Sequence, residues 1–171
     1  AITDVSGHGL HLTRNGSGGI GTSELLAPHY FFDGNDTYFS HVDANILDIT
    51  GTEPGVGTGI LGLTVGAWIY PRINDVGGLV SRWINTGDER SYRLNKNSGG
   101  SLNIAISSNG ESGGIVSHNS TATVSGLETW NFVAGRFSPS TELATFVNGV
   151  KETTTSGIPA SIYSGNGLFQ I

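Results

Sequence analysis

The chain of 171 residues suits one domain, and at this length folding buries roughly 70% of the unfolded surface, so no covalent staple is needed. It contains no Cys, which excludes disulfides and thiolate metal centres, and its formal charge of −6 reflects 14 acidic against 8 basic residues. No cluster of Lys and Arg occurs, and the longest apolar stretch, residues 60–70, is interrupted by Gly and Thr, which argues against nucleic acid and against membrane insertion. Charged residues make up only 13%, and 27 Gly with many Ser, Thr and Asn give the composition of secreted or virion β-proteins. The sequence begins at Ala1 rather than Met, as a processed product or an excised part of a longer chain does.

No helix-period pattern of useful length occurs, whereas alternation of period two recurs with Gly-rich punctuation between the runs. The first predicted strands cover 9–13, 29–32 and 38–42, with 16–22 reading as a surface loop; 51–59 is a second such loop, rich in turn formers and poor in groups to pack. In 63–70, Leu63, Val65, Ala67 and Ile69 share one face and Trp68 and Tyr70 the other, a pattern expected of a central strand. Strands follow at 78–83, 91–95 and 102–107; in the last, Leu102, Ile104 and Ile106 lie opposite Asn103, Ala105 and Ser107, as in a sheet buried on one side. Residues 128–150 hold two further strands, 131–137 and 143–147, the second ending at Asn148-Gly149, a pair suited to the positive φ angles of a tight hairpin. A final strand covers 168–171. The expectation is an all-β, two-sheet antiparallel jelly-roll sandwich.

Several stretches carry a resemblance. Asp4-Val5-Ser6-Gly7-His8-Gly9, Phe32-Asp33-Gly34-Asn35-Asp36-Thr37-Tyr38 and Leu63-Thr64-Val65-Gly66-Ala67-Trp68-Ile69-Tyr70-Pro71 look like the opening of a concanavalin A-like laminin G domain. Gly78-Leu79-Val80-Ser81, Trp130, Phe132-Val133-Ala134 and Phe146-Val147-Asn148-Gly149-Val150 continue the pattern in order. The resemblance implies one laminin G-like jelly-roll domain over 1–171, whose relatives bind carbohydrate or protein, often with Ca²⁺, in extracellular proteins and in viral structural proteins. Such domains usually close with a strand beyond the one at 168–171, so the closing strand is expected either from elsewhere or from the N-terminal strand.

Two constellations are candidate sites. Asp33-Gly34-Asn35-Asp36 places two carboxylates on a short loop, where Asp33 and Asp36 either ligate Ca²⁺, with Asp43 and Asp48 supplying further oxygens if the fold brings them near, or cap their own backbone amides in a turn. Among the aromatic residues, Trp68 and Trp130 are expected in the core, whereas Trp83 and Tyr92 flank the polar segment Asn85-Thr86-Gly87-Asp88-Glu89-Arg90 and are available to stack on a sugar. Trp83, Tyr92, Arg93 and Asp88 are therefore the expected carbohydrate-binding residues. His8 and His11, at a strand spacing that sends their rings to opposite faces, are read as surface histidines.

Catalysis is not expected. Glucanases of the resembling superfamily alternate Glu-x-Asp-x-x-Glu along one strand, so that two carboxylates stand about 5 Å apart across the scissile bond. Here Glu24, Glu53, Glu111, Glu128, Glu142 and Glu152 are isolated, and no nucleophile elbow occurs. The expected function is non-catalytic binding of a glycan or polysaccharide at an extracellular or virion surface; the alternative is a structural building block with protein partners in a larger assembly.

Overall fold

The computed structural model describes residues 1–21, 29–43, 47–49, 62–124 and 126–171. Its strands are β1 (Thr13–Asn15), β2 (Gly19–Gly21), β3 (His29–Phe31), β4 (Tyr38–His41), β5 (Leu63–Ile69), β6 (Gly77–Ile84), β7 (Glu89–Lys96), β8 (Ser101–Ser107), β9 (Ile115–Thr123), β10 (Asn131–Ser138), β11 (Glu142–Val147), β12 (Val150–Thr154) and β13 (Phe169–Gln170). They form a seven-stranded sheet in the order β1-β4-β13-β6-β7-β8-β9, a four-stranded sheet in the order β12-β11-β10-β5, and the pair β2-β3, all antiparallel. This is the expected jelly-roll sandwich.

Alternation fixes which side chains meet. Leu94, Leu102, Ile104 and Ile106 point inward from the large sheet against Val133, Phe137, Leu143 and Val147 of the small one. Gly135 sits at the closest approach: a Cβ there would lie 2.7 Å from Ile104 Cδ1 and 3.1 Å from Leu94 Cδ1. The β11-β12 hairpin turns at Asn148 and Gly149, with φ of 48° and 87°, as the Asn-Gly pair requires.

The strands that sequence pattern misses lie at edges. β9, at one end of the large sheet, reads Ile-Val-Ser-His-Asn-Ser-Thr-Ala-Thr, and β12 bounds the small sheet. Both carry polar residues, because an edge strand needs fewer apolar partners and gains from charges that discourage further pairing. Here the two edges protect each other: Glu152 of β12 accepts the Thr121 amide at 2.7 Å and the Ala122 amide at 2.5 Å of β9.

Two expectations change. Part of the expected loop 16–22 is strand β2, whose short Gly-Ile-Gly run pairs with β3. Among the described residues β5 lies at the edge of its sheet rather than inside it, and Trp68 on its outer face is exposed. β13 lies between β4 and β6, inside the large sheet. The expected loop 51–59 lies outside the described residues.

Candidate functional site

The β6-β7 pair separates two environments by a register shift. Arg82 faces Tyr92 and Trp83 faces Arg90, so Ser91 is the extra residue of a bulge. Arg82 and Tyr92 point inward. Arg82 is 0% exposed, and its guanidinium donates to Asp43, Asp48, the Gly165 carbonyl, the Gly167 carbonyl at 3.2 Å and the Leu47 carbonyl at 3.2 Å. Asp43 and Asp48 are therefore ligands of a buried cation rather than additions to the Asp33 loop.

Tyr92 requires a correction. It is 3% exposed and belongs to the core, and burial pushes its phenol up to about 12. Its ring is not available to a ligand. Adjacent strand residues point to opposite faces, so Tyr92 and Arg93 cannot both present to the same surface.

Trp83 and Arg93 do come together, on the outer face of the large sheet. The Arg93 guanidinium carbon lies 4.5 Å from the centre of the Trp83 ring. Trp83 Nε1 donates to Asn85 Oδ1 at 3.0 Å, and Arg90 Nε approaches the same oxygen at 3.4 Å. Arg90 also donates to Asp88 Oδ1 at 2.7 Å and to the Asn85 carbonyl at 2.7 Å. The tight turn that aligns these groups has Gly87 and Asp88 at φ 79° and 56°. Asp88 thus joins the cluster through Arg90, not by touching Trp83.

The surface continues across the sheet in two rows set by register. One runs Ser40, Gln170, Ser81, Arg93, Ala105, Ser117, interrupted at Ala105, which is fully buried although one-sided burial of β8 would leave it exposed. The other runs Asn95, Asn103, Asn119, with Asn103 Nδ2 donating to Asn119 Oδ1 at 2.9 Å. This asparagine row escapes sequence reasoning because β9 does; its only sequence signal is the period-two spacing of Arg93 with Asn95 and of Ser117 with Asn119.

The Asp33 loop is a saturated turn. Asp33 Oδ1 accepts the amides of Asn35 at 3.0 Å, Asp36 at 3.4 Å and Thr37 at 3.3 Å, and Oδ2 accepts the Ser17 hydroxyl at 2.9 Å. The Ser17 amide donates to Asp36 Oδ1 at 3.3 Å. These bonds, with the Asn35 amide foremost, hold the Asp33 carboxyl well below the usual carboxylate range. Ca²⁺ takes six to eight oxygens, and among the described residues no group of three His, Asp or Glu gathers to hold a metal. Asp33 and Asp36 alone do not fit such a site.

The outer face of the small sheet reverses another expectation. Trp68 is 66% exposed, packed at 5.5 Å against Phe132, while Tyr70 and Trp130 pair at 5.4 Å. Arg136 lies over Phe146 at 5.7 Å. Trp68 and Trp130 are not core residues, because they lie on the outer side of the small sheet, which no layer among the described residues covers. The carboxylates are dispersed: Glu142 binds Arg136 and Lys151, Glu152 binds β9, and Glu89 accepts the Asn166 amide at 2.7 Å.

Comparison with known proteins agrees with this architecture. The binding domain of Paraclostridial Mosquitocidal Protein 1 matches with a TM-score of 0.70 at 14% identity, over 99% of this chain and 41% of its own. A structure of botulinum neurotoxin type C, whose passage into cells is described as dependent upon two ganglioside molecules, matches with a TM-score of 0.61 at 11% identity, over 100% of this chain and 45% of its own. The receptor-binding domain of a botulinum neurotoxin C/D mosaic serotype matches with a TM-score of 0.67 at 10% identity. At these identities the likeness is one of fold, and this chain spans less than half the length of those binding domains. No curated protein sequence matches it. The family model described as the concanavalin A-like lectin/glucanases superfamily matches residues 31–171, and the chain belongs to that superfamily as a laminin G-like domain.

Proposed function

We propose that the chain is a non-catalytic carbohydrate-binding module acting at a cell, virion or extracellular surface, and that its site is the outer face of the seven-stranded sheet. The observation that carries this reading is the stack of Trp83 and Arg93 beside the row Asn95, Asn103, Asn119. Flat groups give a pyranose ring a dispersion surface, and neighbouring amides give its hydroxyls both donors and acceptors. Asn95 supports the reading further, since its side chain makes no hydrogen bond among the described residues although it lies between Arg93 and the bonded pair Asn103 and Asn119. The similar structures are binding domains, one of them tied to gangliosides, and no helix among the described residues is long and apolar enough to cross a membrane.

A glycan array followed by calorimetry on the hits tests this. Trp83→Ala is expected to weaken binding about tenfold or more, since one stacked aromatic and its cation contribute on the order of 1–2 kcal/mol. Binding unchanged by Trp83→Ala would move the site off this face. A second reading, a building block of a larger assembly, is favoured by the exposed aromatic face of Trp68, Phe132 and Trp130. Sedimentation over a range of concentrations addresses it: self-association that disappears in Trp68→Ser would favour assembly.

A further inference from the structure

Arg93 differs from Arg14, Arg82, Arg90 and Arg136, each of which has a described hydrogen-bond acceptor. Arg82 is held by Asp43 and Asp48, Arg90 by Asp88 and Arg136 by Glu142, while Arg14 donates to the Gly18 carbonyl at 2.6 Å. Arg93 lies on the Trp83 ring at 4.5 Å and makes no hydrogen bond among the described residues; its Nε is buried with no acceptor. A half-buried cation in that state has lost part of its hydration without gaining a counter-charge, which is costly. Its neighbours do not compensate. Burial lowers its affinity for the proton, no carboxylate among the described residues pairs with it, and Asp88, the acidic member of the cluster, is engaged by Arg90.

In the row through Arg93, the residues paired across the strands are Ser81 and the fully buried Ala105, followed by Gln170 and Ser117, none of them charged. Stacking on an indole holds the guanidinium plane fixed, which lowers the entropy cost of a two-point hydrogen bond. The polar row beginning at Asn95 starts two residues along the same strand face.

We propose that Arg93 is the anion subsite of this face, so that the glycan bound there is acidic: a carboxylate or a sulfate ester docks on the Arg93 guanidinium while the adjoining sugar packs against Trp83 and meets the asparagine row. This deepens the carbohydrate-binding reading and rests on it. A carboxylate or sulfate matches the two terminal NH2 groups of the guanidinium with two parallel charge-assisted bonds, whereas a neutral hydroxyl leaves the positive charge unmatched. The overall charge of −6 makes long-range attraction unfavourable, so the preference must come from this local contact.

The test compares three probes on the whole chain by calorimetry: a uronic-acid-containing oligosaccharide, the same oligosaccharide with its carboxyl reduced to the alcohol, and an O-sulfated neutral oligosaccharide. The expected result is tighter binding of at least one acidic probe by about 10- to 100-fold over the reduced one, weakening as salt rises. In Arg93→Gln that preference should vanish, and in Arg93→Lys it should persist in part, because charge remains without the fork; thermal unfolding of both variants checks that the fold is kept. Which acidic probe binds distinguishes carboxylate from sulfate. Equal binding of acidic and reduced probes, still lost in Trp83→Ala, would overturn the anion subsite and leave the carbohydrate module standing. An acidic preference that survives Arg93→Gln would also overturn it, and binding of no glycan in any arm would overturn both.

Discussion

Replacing Arg82 by Met tests what anchors the sheet beneath the candidate site. The side chain is 0% exposed, and its guanidinium serves Asp43, Asp48 and the carbonyls of Leu47, Gly165 and Gly167. Met fills similar volume but leaves two carboxylates without their cation and three carbonyls without a donor. Breaking a buried ion pair by removing one partner costs about 3–5 kcal/mol. The Asp43 and Asp48 side chains keep 33% and 18% of their surface exposed, so water can recover part of their hydration and the lower end applies. A loss of about 3 kcal/mol corresponds to roughly 6–12 °C in Tm for a domain of this size. Urea unfolding followed by circular dichroism measures it, with an unchanged slope showing that the denatured state is the same. Adding Asp43→Asn and Asp48→Asn to Arg82→Met should restore much of the loss, because the stranded charges are gone. A loss below about 1 kcal/mol, or no recovery on neutralising the two carboxylates, would refute the reasoning. Sugar binding, measured well below the transition, should change little, since Trp83 lies on the opposite face of β6.

Gly135→Ala is expected to destabilise by about 1–3 kcal/mol, because the new methyl would sit 2.7 Å from Ile104 Cδ1 where the sheets are closest; chemical denaturation gives the value, and a neutral or stabilising effect would show that the core can yield there. The Tyr92 phenol, raised from 10.0 to about 12, keeps its proton in the folded state while the unfolded chain releases it, so stability should fall as pH rises from 10 to 12, by about 2–3 kcal/mol in all. Unfolding curves across that range should lose this component in Tyr92→Phe. Glu152, whose carboxyl is lowered chiefly by the Thr121 amide and then by the Ala122 amide, contributes stability that is present above the ordinary carboxylate pKa and lost as pH falls through its lowered one. Glu152→Ala should therefore be less stable than the parent at neutral pH and converge with it in acid, as followed by pH-resolved denaturation.

How much was legible in the sequence depends on what each residue answers to. Alternation within a strand is local, so Leu102, Ile104 and Ile106 of β8, or the Asn148-Gly149 turn, are read correctly from spacing alone. Whether a face is covered is not local. Trp68 and Tyr70 look like the second buried face of a central strand, yet β5 ends its sheet, and nothing within 63–70 encodes that position. The same limit hides β9 and β12, whose polar residues fit an edge but also fit a loop. The sequence of the Asp33 loop fits either a turn or a cation site, and only the distances to its own amides and to Ser17 favour the turn.

The bulge at Ser91 shows how a site can depend on a residue with no ligand chemistry. Regular pairing onward from Arg82 and Tyr92 would set Trp83 opposite Ser91; the inserted residue instead sets it opposite Arg90. Ser91 turns aside, 1% exposed, and its hydroxyl donates to the Tyr163 carbonyl at 2.7 Å. The consequence on the outer face is that Arg90 meets Asn85 and Asp88 at the turn, while the next outward side chain along β7, Arg93, is free to lie over the indole. The extra residue thus brings Arg90 to the outward face beside Trp83, while ordinary alternation sends Arg82 inward to Asp43 and Asp48 and Arg93 outward onto the indole, with no counter-ion among the described residues.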